Sequence, residues 1–491
     1  MSGDLGKNKD LGKNKKIKGI LIFLLPGLIF SFFIQAAEPF KNKYYVLGNG
    51  LQVFLEERDK MPLVNIVAAV NVGSKDEEKE FSGLVHLLEH LVLFAGSHST
   101  TSTALIEIIK KNGIYFNAHT GYDQMTIEIS VPSEYIQVAF KLLQEKLFNL
   151  ELSPRDLVKE KKVILEELSQ TLDDPDKLGM QLALGELFRG HPYEKPVAGE
   201  IDTLQNVSLE ALERFYKRYF IPSNCSLSVV GDFNMETVIE TIQQGMGSVG
   251  DVITGPLPSL SRPVFPLVQS LKKSVEIKKE LDINQTHVFL GFIAPGLDNE
   301  DKLPMDILTR ILGKGISPLL YNSFKGRERS LENVKSLDVQ YISLNYGGAV
   351  LIHLVLDTRK SVFFKNQLLY FLKDLKSYAF SKKDYVYRLA PGIIDYLETA
   401  KVWMQLVYRQ FLERESDLAI SYARYMLSHD IHNTIQQEEQ NQNKENDKEN
   451  DKESYSERLS TIQSADIQAV AATYFSGKKY VEIIIAPIIK K

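Results

Sequence analysis

The order of apolar segments along the chain repeats once, and this repeat restricts the possible folds. Between 44 and 72 the apolar blocks predict a strand hairpin and a buried strand, and a helix follows at about 82–95. After a stretch with four prolines between 251 and 266, a similar order restarts with a strand at 286–296, an acidic loop and a helix. The pattern predicts an α+β fold of two homologous domains, each a mixed or antiparallel sheet with helices packed on it.

Charge and cysteine content exclude several classes of protein. The 491 residues carry a net charge of -5, which gives no basic footprint for binding nucleic acid. A single cysteine, Cys225, rules out an internal disulfide framework and a cysteine-based zinc site. A metal site in this chain must therefore use histidine, aspartate or glutamate.

Residues 1–37 predict a targeting segment. A lysine-rich leader precedes an apolar, uncharged stretch at 19–37, as in an export signal. Cleavage after either terminal alanine would place Ile34 or Gln35 three positions back, where a signal peptidase prefers a small residue. The stretch is also nearly long enough to span a bilayer. Both a signal peptide and a membrane anchor remain open, and either predicts an exported body, periplasmic or membrane-anchored, outside the cytoplasm.

A short predicted helix carries the residues suited to metal chemistry. It contains His86-Leu-Leu-Glu89-His90, and side chains four residues apart lie on one face of a helix. Two imidazoles in that position can bind one zinc ion, and Glu89 can reach a water held by the metal. The composition predicts roughly 0.02 such motifs by chance. Two buried histidines without a metal would instead leave polar groups in an apolar core.

A catalytic zinc ion needs a third protein ligand and an open fourth position. The helix predicted after Ser153 offers Glu160, Glu166 and Glu167. Glu160 and Glu167 are two turns apart and share a face of that helix. The pattern alone does not choose among the three glutamates.

With these motifs, the chain resembles the pitrilysin–insulinase family of zinc peptidases, the inverzincins. In that family the inverted H-x-x-E-H motif is followed by a helix that supplies a glutamate ligand. The resemblance implies that Glu167 is the third zinc ligand, beside His86 and His90, and that Glu160 supports the site by hydrogen bonding. The segment 116–132 is similar to the family's N-A-x-T segment, which implies that Asn117 contacts the substrate.

The resemblance also implies a fold and an activity. The family pairs two similar domains as a clam-like chamber, here a catalytic zinc-binding domain at 40–250, a linker at 251–272 and a catalytically inactive domain at 273–491. A low-complexity insertion at 436–458 is expected to be a disordered surface loop. The implied activity is a zinc-dependent endopeptidase, with one Zn²⁺ per chain and Glu89 as general base, that hydrolyses unfolded oligopeptides. The alternative is a non-catalytic subunit of a larger complex built on the same fold.

One departure from the family concerns the grip on the substrate. Family members usually carry an arginine and a tyrosine, seven residues apart, in the second domain. Here Lys325 or Arg327 could replace the arginine, and no tyrosine follows at that interval. We therefore expect either a second family chain that supplies this clamp, giving a heterodimer, or a homodimer or monomer in which Lys325 or Arg327 substitutes. A membrane is expected as a partner only through 19–37, if that segment is not cleaved.

Overall fold

The computed structural model describes most of the chain after residue 40. The described residues are 41–250, 265–314, 318–321, 334–381, 395–428 and 455–488. Contacts group Asn42–Lys491 into one compact unit. The predicted signal peptide or anchor at 1–37 and the candidate clamp residues Lys325 and Arg327 lie outside the described residues. None of the described helices is both long and apolar enough to cross a membrane.

The described strands form two sheets. The strands are β1 (Asn42–Val46), β2 (Gln52–Glu57), β3 (Leu63–Val70), β4 (Tyr115–Thr120), β5 (Met125–Pro132), β6 (Cys225–Gly231), β7 (Val275–Leu281), β8 (Thr286–Ala294), β9 (Val334–Leu344), β10 (Gly347–Leu356) and β11 (Val481–Pro487). The first sheet has the order β1-β2-β6-β3-β5-β4, and the second has the order β7-β11-β8-β10-β9.

The two sheets share one pattern of strand directions. In the first sheet β2 and β6 are parallel and every other neighbouring pair is antiparallel. In the second sheet β7 and β11 are parallel and the other pairs are antiparallel. The second sheet thus repeats the last five strands of the first sheet in order and direction. The predicted fold class, two mixed sheets with helices packed on them, is confirmed.

The α-helices within the described residues pack against the two sheets and against one another. They are α1 (Leu84–Phe94), α2 (Ser102–Lys111), α3 (Ile136–Phe148), α4 (Pro154–Asp173), α5 (Pro175–Leu187), α6 (Ile201–Asn206), α7 (Leu209–Tyr219), α8 (Met235–Gly245), α9 (Lys302–Gly313), α10 (Ser361–Asp374), α11 (Tyr396–Glu413), α12 (Glu415–Ser428), α13 (Tyr455–Thr461) and α14 (Ser464–Tyr474). One apolar core lies between the first sheet and its helices, and a second core lies between the second sheet and α9, α10 and α14.

The two halves exchange helices. Helix α5 of the first half buries Leu184 and Leu187 in a cluster with Phe289 and Leu351 of the second sheet. No helix or strand was predicted from the sequence in this region, so helix α5 is known only from the structure. Its start has a clear local cause: the Asp174 side chain accepts hydrogen bonds from two backbone amides of the first turn.

Helix α12 of the second half packs on the first sheet in the same way. Ala419 and Ala423 pack in a small cluster with Val67 and Val230, and alanine side chains allow the helix to approach closely. The hydroxyl of Ser226 donates to the carbonyl of Ala423 over 2.6 Å. Since each sheet is covered by a helix from the other half, the two halves are joined by buried apolar surface as well as by the linker.

Two predicted connections are only partly described. Of the linker at 251–272, residues 265–272 are described and have no regular secondary structure. Of the insertion at 436–458, residues 455–458 begin helix α13, so the expected loop is wrong for these four residues. The physical reason is that Tyr455 and Leu459, one turn apart, both pack on the second core.

Candidate metal centre

Helix α1, which carries His86, Glu89 and His90, is fixed at its first turn. It follows Gly83, whose backbone φ of 96° favours glycine. The buried carboxylate of Glu77 accepts a hydrogen bond from the amide of Gly83 at 3.0 Å and another from the amide of Val85 at 2.8 Å. The carboxyl oxygens at this end satisfy free amides of the first turn, and burial raises the pKa of Glu77 to about 8.

The other end of α1 is held by a cation. The ammonium group of Lys146, on α3, donates to the carbonyl of Ala95 over 2.6 Å. Lys146 is 1% exposed, and burial lowers its pKa to about 8. A donor here complements the negative end of the helix dipole. Neither Glu77 nor Lys146 could be identified from the sequence, because only the folded chain brings them to the ends of α1.

The two histidines of α1 lie beside each other as their spacing predicts. Their ring centroids are 4.8 Å apart and the ring planes are nearly perpendicular, at 87°. Burial, with a smaller effect of neighbouring His90, lowers the pKa of His86 to about 4. His86 is therefore neutral at pH 7, which is the form that binds a metal.

Helix α4 brings a carboxylate to this pair. One oxygen of Glu167 lies 3.6 Å from Nε2 of His90 and 3.9 Å from Nε2 of His86. A tetrahedral zinc ion holds such ligand atoms about 3.3 Å apart, so the three groups need only small movements to bind one ion. The side chain of Glu167 is 47% exposed, so the site can be reached from solvent. The donor set of two imidazoles and one carboxylate suits zinc.

Glu160 lies beside one of the two histidines. Its side chain is buried, and Oε2 lies 3.3 Å from Nδ1 of His90. A proton on Nδ1 that points to this carboxylate leaves Nε2 free to bind a metal. Glu160 and Glu167 share a face of α4 but contact opposite sides of the His90 ring. Glu160 lies beside Nδ1, and Glu167 lies on the side of Nε2. Glu166, between them in sequence, is exposed.

Glu89 lies one residue before His90 on α1. Burial raises its pKa, and the adjacent Thr120 and the charge of His119 lower it in part. A glutamate with a raised pKa is better suited to accept a proton from water near neutral pH. Sequence reasoning did not identify His119 or Thr120 as neighbours of Glu89. Both lie on β4, which packs beside α1.

Strand β4 is the last strand of the first sheet within the described residues. Asn117 lies on β4 opposite Glu128 of β5 and is partly exposed. The structure places it on the strand next to α1, while the other predicted substrate contacts, Lys325 and Arg327, lie outside the described residues.

Comparison with known proteins gives the family to which this fold and donor set belong. Residues 52–200 match the insulinase family of peptidases (peptidase family M16), and residues 206–387 match the peptidase M16 inactive domain. The two matches together cover more than half of the chain. The chain belongs to the pitrilysin–insulinase family, peptidase family M16.

Individual relatives are distant in sequence. The zinc protease PqqE of Helicobacter pylori is 23% identical over 483 residues, which cover 96% of this chain and 99% of that protein. The uncharacterized zinc protease YmxG of Bacillus subtilis is 24% identical over 283 residues, or 58% of this chain and 66% of that protein.

Solved structures agree in fold. A protease from Helicobacter pylori has a TM-score of 0.75 at 21% identity and covers 91% of this chain and 100% of its own. A peptidase M16 inactive domain from Pseudomonas fluorescens has a TM-score of 0.72 at 16% identity, with 91% of this chain and 99% of its own covered.

Proposed function

We propose that this chain is a zinc-dependent endopeptidase that hydrolyses unfolded oligopeptides. The observation that carries the proposal is the convergence of His86, His90 and Glu167, whose ligand atoms all lie within 4.8 Å of one another. Glu89 stands on the same helix as the two histidines, and Glu160 orients one of them. A chain that only assembles with others would have no need of this complete set.

His86, His90 and Glu167 would hold the zinc ion. When bound, zinc lowers the pKa of a water ligand to about 7 and polarises the carbonyl of the substrate. Glu89 accepts the proton from the attacking water and passes it to the departing amine nitrogen. Glu160 keeps Nε2 of His90 aimed at the site by accepting a hydrogen bond from the Nδ1–H of that histidine.

The same geometry supports an extended peptide as substrate. β4 pairs with β5 on one side, and a peptide strand can pair with backbone groups on its other side. Asn117 lies on this strand and can hydrogen-bond the peptide. Such pairing requires an unfolded segment, because the backbone of a folded protein is already hydrogen-bonded.

The test is cleavage of a quenched fluorescent oligopeptide by the purified chain, together with its zinc content. Hydrolysis should disappear when a chelator removes zinc and return when zinc is restored. Zinc-loaded protein that cleaves no peptide would favour the alternative, a non-catalytic subunit of a larger complex.

The proposal includes a partner and a location. Without a clear arginine–tyrosine clamp, full activity is expected to need a second family chain that supplies one, unless Lys325 or Arg327 serves in a monomer or homodimer. Lysine is the poorer substitute because it cannot form the planar two-pronged contact of arginine. Isolated chain that matches the activity of a crude exported fraction would contradict the need for a partner.

Export is proposed from 1–37 alone. The mature protein should lack about 37 residues, or be bound to the membrane through 19–37. Mass spectrometry of protein from fractionated cells distinguishes these two forms. Full-length, soluble protein in the cytoplasm would contradict both.

A further inference from the structure

A second group of metal-binding residues lies where the two halves exchange helix α5. His287 on β8 and His353 on β10 belong to neighbouring antiparallel strands, with Val355 opposite His287 and Phe289 opposite His353. The two histidines are thus diagonal neighbours on one face of the second sheet. Nδ1 of His287 lies 3.2 Å from Nε2 of His353.

Asp176, in the first turn of α5, completes the group from the other half of the chain. Its Oδ1 lies 2.8 Å from Nδ1 of His287 and 3.5 Å from Nε2 of His353. The three separations fall around the value of about 3.3 Å expected between ligands of a tetrahedral zinc ion. The corresponding distances from Glu167 to the histidines of α1 are longer, at 3.6 and 3.9 Å.

We infer that Asp176, His287 and His353 form a second divalent-metal site, with zinc as the ion that its nitrogen and oxygen ligands suit. Asp176 comes from the first half and the histidines from the second sheet, so an ion bound there would join α5 to that sheet. The role is structural: the metal strengthens the contact between the halves and takes no part in hydrolysis. The inference does not depend on the proposed peptidase activity.

Packing around the group holds its ligands in place. The ring of Phe289 stacks on His353, with centroids 4.0 Å apart and planes 3° from parallel. Gly179, one turn after Asp176, lets α5 lie close to that ring, since a Cβ at this position would be 2.0 Å from Phe289. The ligands therefore need little rearrangement to bind an ion, which lowers the entropic cost of binding.

The site is also accessible. The histidine side chains are mostly buried, whereas the side chain of Asp176 is 62% exposed. An ion can therefore enter past Asp176, and water can fill the fourth position of a tetrahedral site.

The test measures zinc binding in the full chain with the first site removed. His90→Ala abolishes the candidate catalytic site, and titration of that protein with Zn²⁺ should still show one equivalent bound. Adding Asp176→Asn should weaken this binding by about tenfold or more, because a charged ligand is lost. Asp173→Asn, which removes another exposed carboxylate nearby, should leave the affinity unchanged.

A second measurement separates binding from folding. Zn²⁺ should raise the thermal unfolding temperature of the His90→Ala protein, and the rise should vanish with Asp176→Asn. Circular dichroism without zinc should be the same for both proteins, since Asp176 is exposed. Absence of zinc binding by the His90→Ala protein, or equal binding after Asp176→Asn, would overturn the inference and leave the three residues as a hydrogen-bonded group. Loss of peptide hydrolysis by His90→Ala bears only on the first site.

Discussion

The two halves share a strand order but place their histidines on different elements. In the first half His86 and His90 lie on α1, the helix that follows β3. In the second half the helix in the same place, α9, contains neither histidine nor glutamate, and the histidine pair His287 and His353 lies on strands. The two proposed metal sites thus rest on different supports, one turn of a helix and two neighbouring strands.

The difference has a consequence for chemistry. On α1, Glu89 directly precedes His90 in the sequence. It therefore lies beside the histidine pair on the same helix. On the strands, the histidine pair receives its carboxylate from Asp176 of the other half. The first arrangement suits hydrolysis, whereas the second suits attachment of one half to the other.

Removing one histidine from each pair tests whether the two pairs differ in role. His90→Ala should reduce peptide hydrolysis by about 1,000-fold, the scale of several kcal/mol of transition-state stabilisation by the metal. His353→Gln should change hydrolysis by no more than about twofold, because the strand site takes no part in the reaction. Steady-state kinetics of both variants give the answer, and a large loss with His353→Gln would contradict the division of roles.

The helix-mounted site depends on the fixed start of α1. Glu77→Gln keeps the shape of the side chain but replaces one of the two oxygens that accept backbone hydrogen bonds with an amide nitrogen, which cannot accept one. We expect the free energy of unfolding to fall by about 2 kcal/mol. Urea denaturation measures this, with Glu78→Gln at the exposed neighbouring position as the control. Equal stability of the two variants would show that Glu77 does not hold α1.

The strand-mounted site depends on close approach of α5. Gly179→Ala would place a Cβ 2.0 Å from the ring of Phe289, whereas Gly185→Ala in the same helix meets only an ordinary contact at 3.5 Å. The first change should destabilise the protein by about 1–2 kcal/mol through overpacking. The second should be neutral or stabilising, since alanine favours a helix. Unfolding curves for the pair test this, and the opposite order would contradict the packing described for α5.

The smallest expected effect is a pH dependence at the other end of α1. Burial lowers the pKa of Lys146 to about 8, from 10.5 for an unburied lysine. Between these values the unfolded chain binds more protons than the folded chain, so stability from this group rises with pH. Unmodified protein should gain about 1 kcal/mol over Lys146→Met between pH 8 and 9 in denaturant unfolding. Parallel curves would mean that Lys146 titrates as an exposed lysine.

Much of the helix-mounted site could be predicted from the sequence because its information is local. The spacing of His86 and His90 predicts a shared helix face, and α1 lies where the apolar pattern placed a helix. The choice of Glu167 over Glu160 and Glu166 came from the family resemblance, since all three lie on one predicted helix. The structure then separates them by burial and by distance to the histidines.

The strand-mounted group could not be predicted in this way. His287 and His353 are far apart in sequence, and only the register of β8 and β10 makes them neighbours. Asp176 reaches them because α5 crosses to the second sheet, a contact between the halves that no local pattern records. The ends of α1 present the same difficulty, because Lys146 reaches Ala95 only through the packing of α3.

The most direct test of the central claim separates the roles of the two acids at the helix-mounted site. Glu89→Gln should reduce hydrolysis by about 10²–10⁴-fold and keep the zinc content of the unmodified protein, because we propose Glu89 as a base and not as a ligand. Glu167→Gln should lose one zinc equivalent together with activity, while Glu166→Gln at the exposed neighbouring position should keep both. Loss of the metal with Glu89→Gln and its retention with Glu167→Gln would contradict the assignment.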